Sequence, residues 1–437
     1  MSVHDLFGEV PEPTSQTSPK DAPVPEGLPR LLRPDRHQMR FMPTDLDSLI
    51  EEDHLARAIW AVVEKLNLSK FEGAIAARGE TAGRPAIDPK ILVALWLYAT
   101  RDGVGSAREV ERLCEAHNAY RWICGGVHIN HHTLSDFRVG HGKALDELMT
   151  EVLAVLEHEG LVELERVAQD GMKVRASAGA ASFRREKSLR ECLDKAREHV
   201  EEVKREAEQA GKVVDRQVAR RESAARERLE RVERAMAELP KVKELKPEKE
   251  KDKARVSTTD PDARVMKMGD GGFRPAYNVQ VATDTKSRVI VGVEVTKQGN
   301  DLGQVEPMLK DIQTRTGEIP KQLLVDGGFA KKESIDAAAQ QGVTVYAPVQ
   351  KPKKEDVDPH LPKPGDSPAV ADWRQRMGTP EAKEIYKERA ATAETTNADL
   401  RCKRGLDRLL VRGLPKVRCV VLWAALTYNI LKLIAVA

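Results

Sequence analysis

Three acidic residues of the sequence fall where carboxylates could act together on a charged substrate. Asp170 lies inside an apolar segment that predicts a strand, Asp326 directly follows another, and Glu394 lies in a long segment with helical spacing. Carboxylates held on rigid neighbouring elements are ligands that Mg²⁺ prefers in proteins. Two such ions about 4 Å apart activate a water or a hydroxyl and stabilise the leaving oxygen of a phosphodiester. The three positions therefore predict metal-dependent phosphodiester chemistry.

Each of these acidic residues also has an ordinary structural explanation. An aspartate followed by two glycines, as at Asp326, often marks only a turn, and a glutamate on a charged helix, as at Glu394, is usually solvated. The order of the three along the chain (strand, strand end, helix) is what favours a shared site. Gly171, Gly327 and Gly328 stand beside the two aspartates, and we expect their bare backbone to let a DNA backbone approach.

The segment around Glu394 is rich in basic residues at regular spacing. Tyr386, Arg389, Glu394 and Arg401 follow the pattern Y-x2-R-x4-E-x6-R, and Lys403 lies just beyond it. Tyr386 and Arg389 share one face of the predicted helix, and a planar guanidinium suits bidentate contact with phosphate. We predict that these residues bind DNA; a solvated, ion-paired helix face is the alternative.

The elements that must position these residues follow an α/β pattern. Residues 161–183 and 251–437 predict three antiparallel strands, then helix, strand, helix, strand and closing helices. This is the element order of an RNase H-like catalytic domain, with a mixed five-stranded sheet and helices. We expect Asp170 on its first strand, Asp326 at the end of its fourth, and Glu394 on a single long helix across that edge.

A charged segment, residues 184–250, separates the first predicted strand from the second. Its apolar residues, from Leu189 to Leu239, recur at alternating spacings of four and three, which is the pattern of a coiled-coil seam. We predict a coiled-coil-like helical insertion with Gly211 at the turn of a hairpin. A charge-rich arm of this kind is usually a spacer or a partner surface rather than a catalytic element.

The N-terminal part of the chain predicts helices only. Residues 33–160 follow a leader, residues 1–32, whose composition predicts disorder. Short helices between glycine-containing turns are typical of a helix-turn-helix module and also of a generic helical bundle, and both interpretations stay open. We predict a DNA-binding domain that contacts phosphates through basic side chains. The candidates are Arg84, Arg108, Arg121, Arg138 and Lys143.

Cysteine and histidine residues also cluster in the N-terminal part. Their spacings match no familiar zinc finger, so zinc remains a minor alternative. The residues are Cys114, His117, Cys124, His128, His131 and His132.

The bulk composition sets limits on the class of protein. The formal net charge is +2, so any DNA-binding surface must be a local patch. Five scattered cysteines fit a reducing cytoplasm, and the leader lacks a secretory signal pattern. The apolar segment 417–437 is long enough to span a membrane, but Arg418, Asn429 and Lys432 interrupt it. We therefore expect a buried terminal helix, a cytoplasmic protein and no membrane partner.

Several motifs in combination resemble the DDE transposases of bacterial insertion sequences. They are "VAQDGMKVRASAG", "STTDPDARVMKMGDGGFRPAYNVQVATDT", "LLVDGGFAKKESID", "YKERAATAETTNADLRCKRGL" and the helical "HHTLSDFR". The resemblance implies that Asp170, Asp326 and Glu394 hold two Mg²⁺ or Mn²⁺ ions, and that the basic pattern around Glu394 binds DNA. Two departures are Arg401, where lysine is common, and Thr395, where proline is frequent; neither removes a ligand.

The resemblance implies DNA transposition rather than action on a small molecule. Such an enzyme binds terminal inverted repeats as a homo-oligomer, hydrolyses the ends to free 3′-hydroxyls and joins them to target DNA, in association with the nucleoid. Two alternatives remain open. One is an RNase H-like nuclease that does not join strands, and the other is a non-catalytic DNA-binding protein derived from a transposase that oligomerises through residues 184–240.

Overall fold

The N-terminal helices surround one buried helix. The computed structural model describes residues 45–75, 77, 85–209, 216–350 and 358–436. The third helix is the apolar centre of this part, because every residue from Ile91 to Thr100 is buried. Asp88 caps it and Pro89 occupies its first turn, as helix-start preferences predict. The seven helices are α1 Leu55–Lys65, α2 Ser69–Gly73, α3 Pro89–Arg101, α4 Ala107–Ala116, α5 Asn118–Cys124, α6 His131–Gly140 and α7 Gly142–His158.

Eight strands follow, six of them in one mixed sheet. The strands are β1 Arg166–Arg175, β2 Phe183–Arg184, β3 Val256–Ser257, β4 Arg264–Lys267, β5 Phe273–Asp284, β6 Ile290–Thr296, β7 Gln322–Leu324 and β8 Thr344–Tyr346. The order of strands across the sheet is β5, β1, β7, β8. Along its outer edge, β5 pairs first with β4 and then with β6. β5 is antiparallel to its neighbours, whereas β7 and β8 are parallel to β1.

This arrangement agrees with the mixed RNase H-like sheet that the sequence predicts, with one addition. The short strand β4 was not predicted, so the sheet has six strands rather than five. β5 is buried along nearly its whole length, from Pro275 to Asp284, because helices cover both faces of the sheet. The remaining helices are α8 Glu186–Gln209, α9 Arg216–Glu244, α10 Val305–Thr316, α11 Lys332–Gln340, α12 Pro368–Gly378, α13 Pro380–Arg389, α14 Thr395–Cys402 and α15 Leu414–Val436.

The insertion between β1 and β4 is a pair of antiparallel helices. Ion pairs between α8 and α9 fix this direction, as Lys243 meets Glu186 near the sheet and Arg221 meets Glu206 towards the far end. The strands β2 and β3 pair at the base of the arm. Residues 210–215, where the sequence places the turn at Gly211, lie outside the described part.

The apolar seam of the arm is buried within this one chain. Val200 and Val203 are 5% and 1% exposed and cluster with Ala225 of α9, while Leu189 packs with Val232 nearer the sheet. The seam therefore closes the hairpin within one chain, and pairing between chains through residues 184–240 stays a prediction.

The last helix, α15, belongs to the core of the protein. It is long and apolar enough to cross a membrane, but two thirds of its most apolar window (67%) is buried inside the protein. Trp423 donates a hydrogen bond to the Arg138 carbonyl of α6. Asn429 accepts from the N–H and donates to the carbonyl of Ile290, the first residue of edge strand β6. The predicted buried terminal helix is confirmed, and residues Asp45–Ala437 form one compact unit.

Candidate active site

Asp170 and Asp326 occupy equivalent positions on neighbouring parallel strands. The last paired residues of β1 and β7 are Ala168 and Leu324. Asp170 lies two residues after Ala168, and Asp326 lies two residues after Leu324. Because side chains alternate between sheet faces with a period of two, these equivalent positions favour the same face for both carboxylates. Adjacent strands are about 4.8 Å apart, so the alignment places two acidic groups at one rim of the sheet.

A single arginine connects the two aspartates. Arg389 Nη2 lies 3.0 Å from Asp170 Oδ1 and 4.0 Å from Asp326 Oδ2. Arg389 is the last residue of α13, and its side chain is only 12% exposed. Tyr386 lies one turn earlier and is half-buried; burial raises the pKa of its hydroxyl, as do the charges of Asp326 and Asp170, while Arg389 lowers it. The predicted DNA-binding pair Tyr386 and Arg389 thus lies against the acidic site.

Asp170 is the more enclosed of the two carboxylates. Its side chain is 19% exposed, against 43% for Asp326. Asn397 Nδ2 donates to Asp170 Oδ2 at 3.1 Å, and the N–H of Gly171 donates to Oδ1 at 2.9 Å. Burial raises the pKa of Asp170; Arg389 and the Gly171 N–H act in the opposite direction without restoring it. Asp326 accepts from the N–H of Gly328 at 2.6 Å and is otherwise open to solvent on this rim.

The space beside Gly171 is occupied by another carboxylate. A Cβ at Gly171 would lie 2.2 Å from Asp301 Oδ1 and 2.6 Å from Gln280 Nε2. Asp301 is held by Lys173 at 3.0 Å and by Asn278 and Gln280, each at 2.7 Å. Gly171 therefore admits Asp301 rather than DNA, and the interpretation of this glycine as an opening for DNA is wrong.

The two glycines after Asp326 differ from Gly171. A Cβ at Gly327 would contact only the Pro348 carbonyl, at 3.6 Å, and a Cβ at Gly328 would meet the Asp326 carboxylate itself at 2.8 Å. The rim at Asp326 is thus bordered by backbone that carries no side chain.

Glu394 does not join the aspartates in this structure. The predicted long helix is present from Pro380 to Cys402, but it contains a π-helical segment, Ala390–Glu394, between α13 and α14. Glu394 ends that segment with an exposed side chain. Asn397 lies three residues further on, on the same helical face, and takes the place beside Asp170. Within the described part of the chain, no three His, Cys, Asp or Glu side chains are grouped closely enough to hold a metal ion.

The other predicted DNA contacts fall into three groups. Arg108, Lys143, Arg401 and Lys403 are exposed, and Lys403 pairs loosely with Asp399 at 3.5 Å. Arg121 is half-buried on α5. Arg138 is 7% exposed, and its guanidinium stacks 4.5 Å from the centre of the Trp96 ring, so it is not the surface cation that the sequence suggested. Arg84 lies outside the described residues.

Two of the histidines in the Cys/His cluster have structural partners. His117 accepts from the Ala119 N–H at the start of α5. His131 Nδ1 lies 2.7 Å from Glu111 Oε2. These contacts account for the two histidines without a metal ion.

Comparison with known families now identifies the class of protein. A family model described as a transposase DDE domain matches residues 213–430, and one described as a transposase domain, DUF772, matches residues 44–140. The chain belongs to the DDE transposases of insertion sequences. The resemblance drawn from the sequence motifs is thereby confirmed. Asp326 and Glu394 lie inside the matched range and Asp170 lies before it. No curated protein and no solved structure matches the chain.

DDE transposases generally use divalent metal ions, and the residues at the rim are suited to such an ion. Asp170 and Asp326 provide carboxylate oxygens, and Asn397 Oδ1 is a buried acceptor without a hydrogen-bond partner beside them. Mg²⁺ is commonly held by one or two carboxylates plus water and substrate phosphate rather than by a complete protein cage. Two aspartates with an unpaired amide oxygen fit that chemistry, and Glu394 remains outside it.

Sequence reasoning missed Asn397 and Asp301. Asn397 could have been found from its spacing, since a residue three positions after Glu394 shares its helical face. Asp301 carries no such signal, because it lies in a loop 128 residues after Lys173, the residue of β1 with which it pairs.

Proposed function

We propose that this protein is a metal-dependent transposase that binds the terminal inverted repeats of its element, hydrolyses the ends and joins the freed 3′-hydroxyls to target DNA. It acts as a homo-oligomer on DNA, in the cytoplasm at the nucleoid. The observation that carries the proposal is the alignment of Asp170 and Asp326 on adjacent parallel strands, at a rim where Asp326 is open to solvent. A long, charged substrate such as DNA can reach a rim, whereas a small substrate is usually enclosed in a pocket.

We assign Asp170 and Asp326 to holding two Mg²⁺ or Mn²⁺ ions, with Glu394 as the third protein ligand. When bound, such ions activate the attacking oxygen and stabilise the leaving oxygen of the phosphodiester. Asn397 orients Asp170 through its 3.1 Å hydrogen bond. Glu394 is exposed at the end of the π segment, so this role requires the segment to move when DNA binds. π-helical turns inside α-helices often occur at functional sites.

Arg389 binds different groups in the absence and in the presence of DNA. Without DNA, its guanidinium compensates part of the charge of the two aspartates. When a phosphate approaches the rim, the same guanidinium can pair with it bidentately. Release from the aspartates then leaves both carboxylates free for metal. Arg401 on α14 and Lys403 directly after it are exposed and supply further positive charge for the DNA backbone.

One observation favours a second candidate, a non-catalytic DNA-binding protein derived from a transposase. Glu394 stands apart from the aspartates, and Arg389 already provides them with a cation. Such a protein would bind DNA without needing Mg²⁺. An RNase H-like nuclease that cuts without joining is the remaining alternative, and only the products of the reaction distinguish it.

The decisive experiment is cleavage of DNA that carries the element ends, with Mg²⁺ or with EDTA. The wild type should cut and join in Mg²⁺ only. Asp326→Asn should lose at least about 10³-fold in rate, since metal stabilisation of the transition state is worth several kcal/mol. Glu381→Gln, which changes an exposed carboxylate on α13, is the matched control and should keep full activity. Equal cleavage by Asp326→Asn would refute the catalytic assignment, and cleavage without joined products would indicate the nuclease.

A further inference from the structure

A cleft in the N-terminal part lies between the starts of α4 and α6. Its volume is about 340 Å³, and its lining includes Ser106, Arg108, His131, His132 and Arg138. We call it the α4–α6 cleft. Its polar lining is largely cationic or able to become so, and no acidic side chain belongs to it.

Arg138, which lines this cleft, is a buried cation without an acidic partner. It is 7% exposed, and none of the ion pairs among the described residues includes it. Its guanidinium stacks on Trp96 at 4.5 Å and donates to the Gly105 carbonyl, but its Nε has no hydrogen-bond partner. Burial lowers the pKa of Arg138 to about 10. A buried charge of this kind is costly unless something pairs with it, so the cleft lacks an anion that Arg138 would accept.

Two helices begin at the same cleft. α4 starts after Ser106 and α6 starts after Asn130, each ten residues long with a side-chain cap at its first turn. The N-terminus of a helix carries a partial positive charge and favours anions, above all phosphate. Both helix dipoles therefore add to the field of Arg138 at the lining of the cleft.

The exposed lining adds the guanidinium of Arg108 and the imidazole ring of His132. Arg108 is exposed on α4 and forms no ion pair among the described residues. His132 is exposed, and its ring stacks on His131 with centroids 4.2 Å apart. Beside these rings, the carboxylate of Glu111 lies 2.7 Å from His131 Nδ1. An incoming anion therefore meets Arg108 and His132 first and Arg138 behind them.

One wall of the cleft comes from the chain that follows the catalytic elements. Leu410 and Val411 line it, and the N–H of the preceding Leu409 donates to the Arg175 carbonyl at 2.8 Å. Arg175 ends β1, five residues after Asp170, which is about 17 Å along a strand. The cleft is thus joined directly to the strand that carries the first candidate metal ligand.

We propose that the α4–α6 cleft binds one phosphodiester of the DNA duplex whose end lies at Asp170 and Asp326. This inference rests on the proposed function for its partner, DNA, and adds a specific contact outside the acidic rim. Arg108 and His132 make the first contact with the phosphate, and Arg138 with the two helix N-termini stabilises it inside the cleft.

The test is equilibrium binding of a random-sequence DNA duplex in EDTA at several salt concentrations, using the full chain. Each phosphate contact contributes about 0.9 to the slope of log binding constant against log salt. Arg108→Gln should reduce the slope by about that amount. Arg112→Gln is the matched control, because Arg112 lies one turn further along α4, pairs with Glu109 and does not line the cleft; its slope should equal that of the wild type.

A second variant removes the charge of Arg138 but keeps a side chain of similar size in the core. Arg138→Met keeps the bulk beside Trp96 and removes the unpaired charge, so it should unfold at an equal or higher temperature than the wild type without DNA. It should also lose about 0.9 of the slope. A lower unfolding temperature with unchanged DNA binding would show that Arg138 is only a core residue, and would overturn the proposal.

Inorganic phosphate distinguishes a DNA site from a site for a small anion. We expect phosphate to protect the wild type weakly against heat and to compete with the duplex, and both effects should vanish in Arg138→Met. Protection by phosphate together with an unchanged DNA slope in Arg108→Gln would indicate a small-anion site and overturn the proposal. If the wild type binds no duplex, the proposed function itself fails; if it binds and Arg108→Gln equals Arg112→Gln, only the cleft assignment fails.

Discussion

Arg389 forms a 3.0 Å ion pair with Asp170, and the same nitrogen lies 4.0 Å from Asp326. The guanidinium therefore stands between two carboxylates that are also the candidate metal ligands. A cation in that place lowers the repulsion between the aspartates when no metal is present. It also means that metal and Arg389 compete for the same oxygens.

The first prediction concerns this competition. Arg389→Gln should raise the affinity of the DNA-free protein for Mg²⁺ by about tenfold or more, because a unit charge about 4 Å away is worth a few kcal/mol in a partly buried site. Isothermal titration calorimetry without DNA measures it. Lys387→Gln, on the same helix but paired with Glu384, should leave the affinity unchanged. An affinity for Mg²⁺ that does not change in Arg389→Gln would show that the ion binds elsewhere.

The second prediction concerns the glycine after Asp170. Gly171→Ala should lower the free energy of unfolding by about 1–3 kcal/mol, because its Cβ would overlap Asp301 and Gln280. The displaced Asp301 should also disturb the neighbouring Asp170 and reduce cleavage. Gly179→Ala is the matched control, since a Cβ there meets nothing within 4 Å. Denaturant unfolding measures both variants, and equal stabilities would contradict the packing described for Asp301.

The third prediction concerns the base of the helical arm. Glu238 of α9 is 12% exposed and pairs with Lys241, Lys297 and Arg264. Burial alone would raise the pKa of Glu238, but these hydrogen bonds outweigh it and lower the pKa to about 2, from the usual 4.5. A carboxylate with a lowered folded-state pKa stabilises the protein above pH 4.5, and this contribution is lost as the pH falls towards 2.

Glu238→Gln should therefore cost about 3 kcal/mol at neutral pH, and the difference from the wild type should shrink between pH 4.5 and 2. Unfolding curves at several pH values measure it. Glu230→Gln, an exposed change on the same helix, should track the wild type throughout. A constant difference across this pH range would mean that Glu238 does not carry the effect.

The fourth prediction concerns the seam of the arm. Val203→Asp should cost about 3 kcal/mol or more, because it buries a charge without a partner between α8 and α9. The loss should appear as melted helix in circular dichroism while the oligomeric state of the DNA-free protein stays the same. Arg205→Asp adds the same group at an exposed position and should keep the helices. A change of oligomeric state in Val203→Asp, with the helix content kept, would support pairing between chains instead.

The sheet was predictable because its strands follow the alternation and turn signals of the sequence. Asp170 and Asp326 could be placed near one another because parallel neighbouring strands end at the same edge. Their exact register could not be read from the sequence, since a slip of one residue turns a side chain to the other face. Several apolar residues of the predicted seam are buried between α8 and α9, but periodicity alone does not say whether the partner of a seam belongs to the same chain.

The part of the site that the sequence did not place correctly lies after Arg389. Helical periodicity assumes a constant turn, and one π-helical segment is enough to change which residue faces the sheet. In the structure, Asn397 contacts Asp170 and Glu394 is exposed. The burial of Arg138 was missed for another reason: a basic residue in a helix gives no sign in the sequence that it will stack on Trp96 in the core.

The position of α15 has a consequence for synthesis. The ribosome synthesises this helix after the strands and helices that it covers. Asn429 then hydrogen-bonds the helix to the first residue of β6. In a ribosome-bound chain, the surface of the sheet that α15 covers is therefore exposed to solvent until the helix emerges. A frameshift or nonsense codon before Leu414 should therefore leave a fragment that proteases remove.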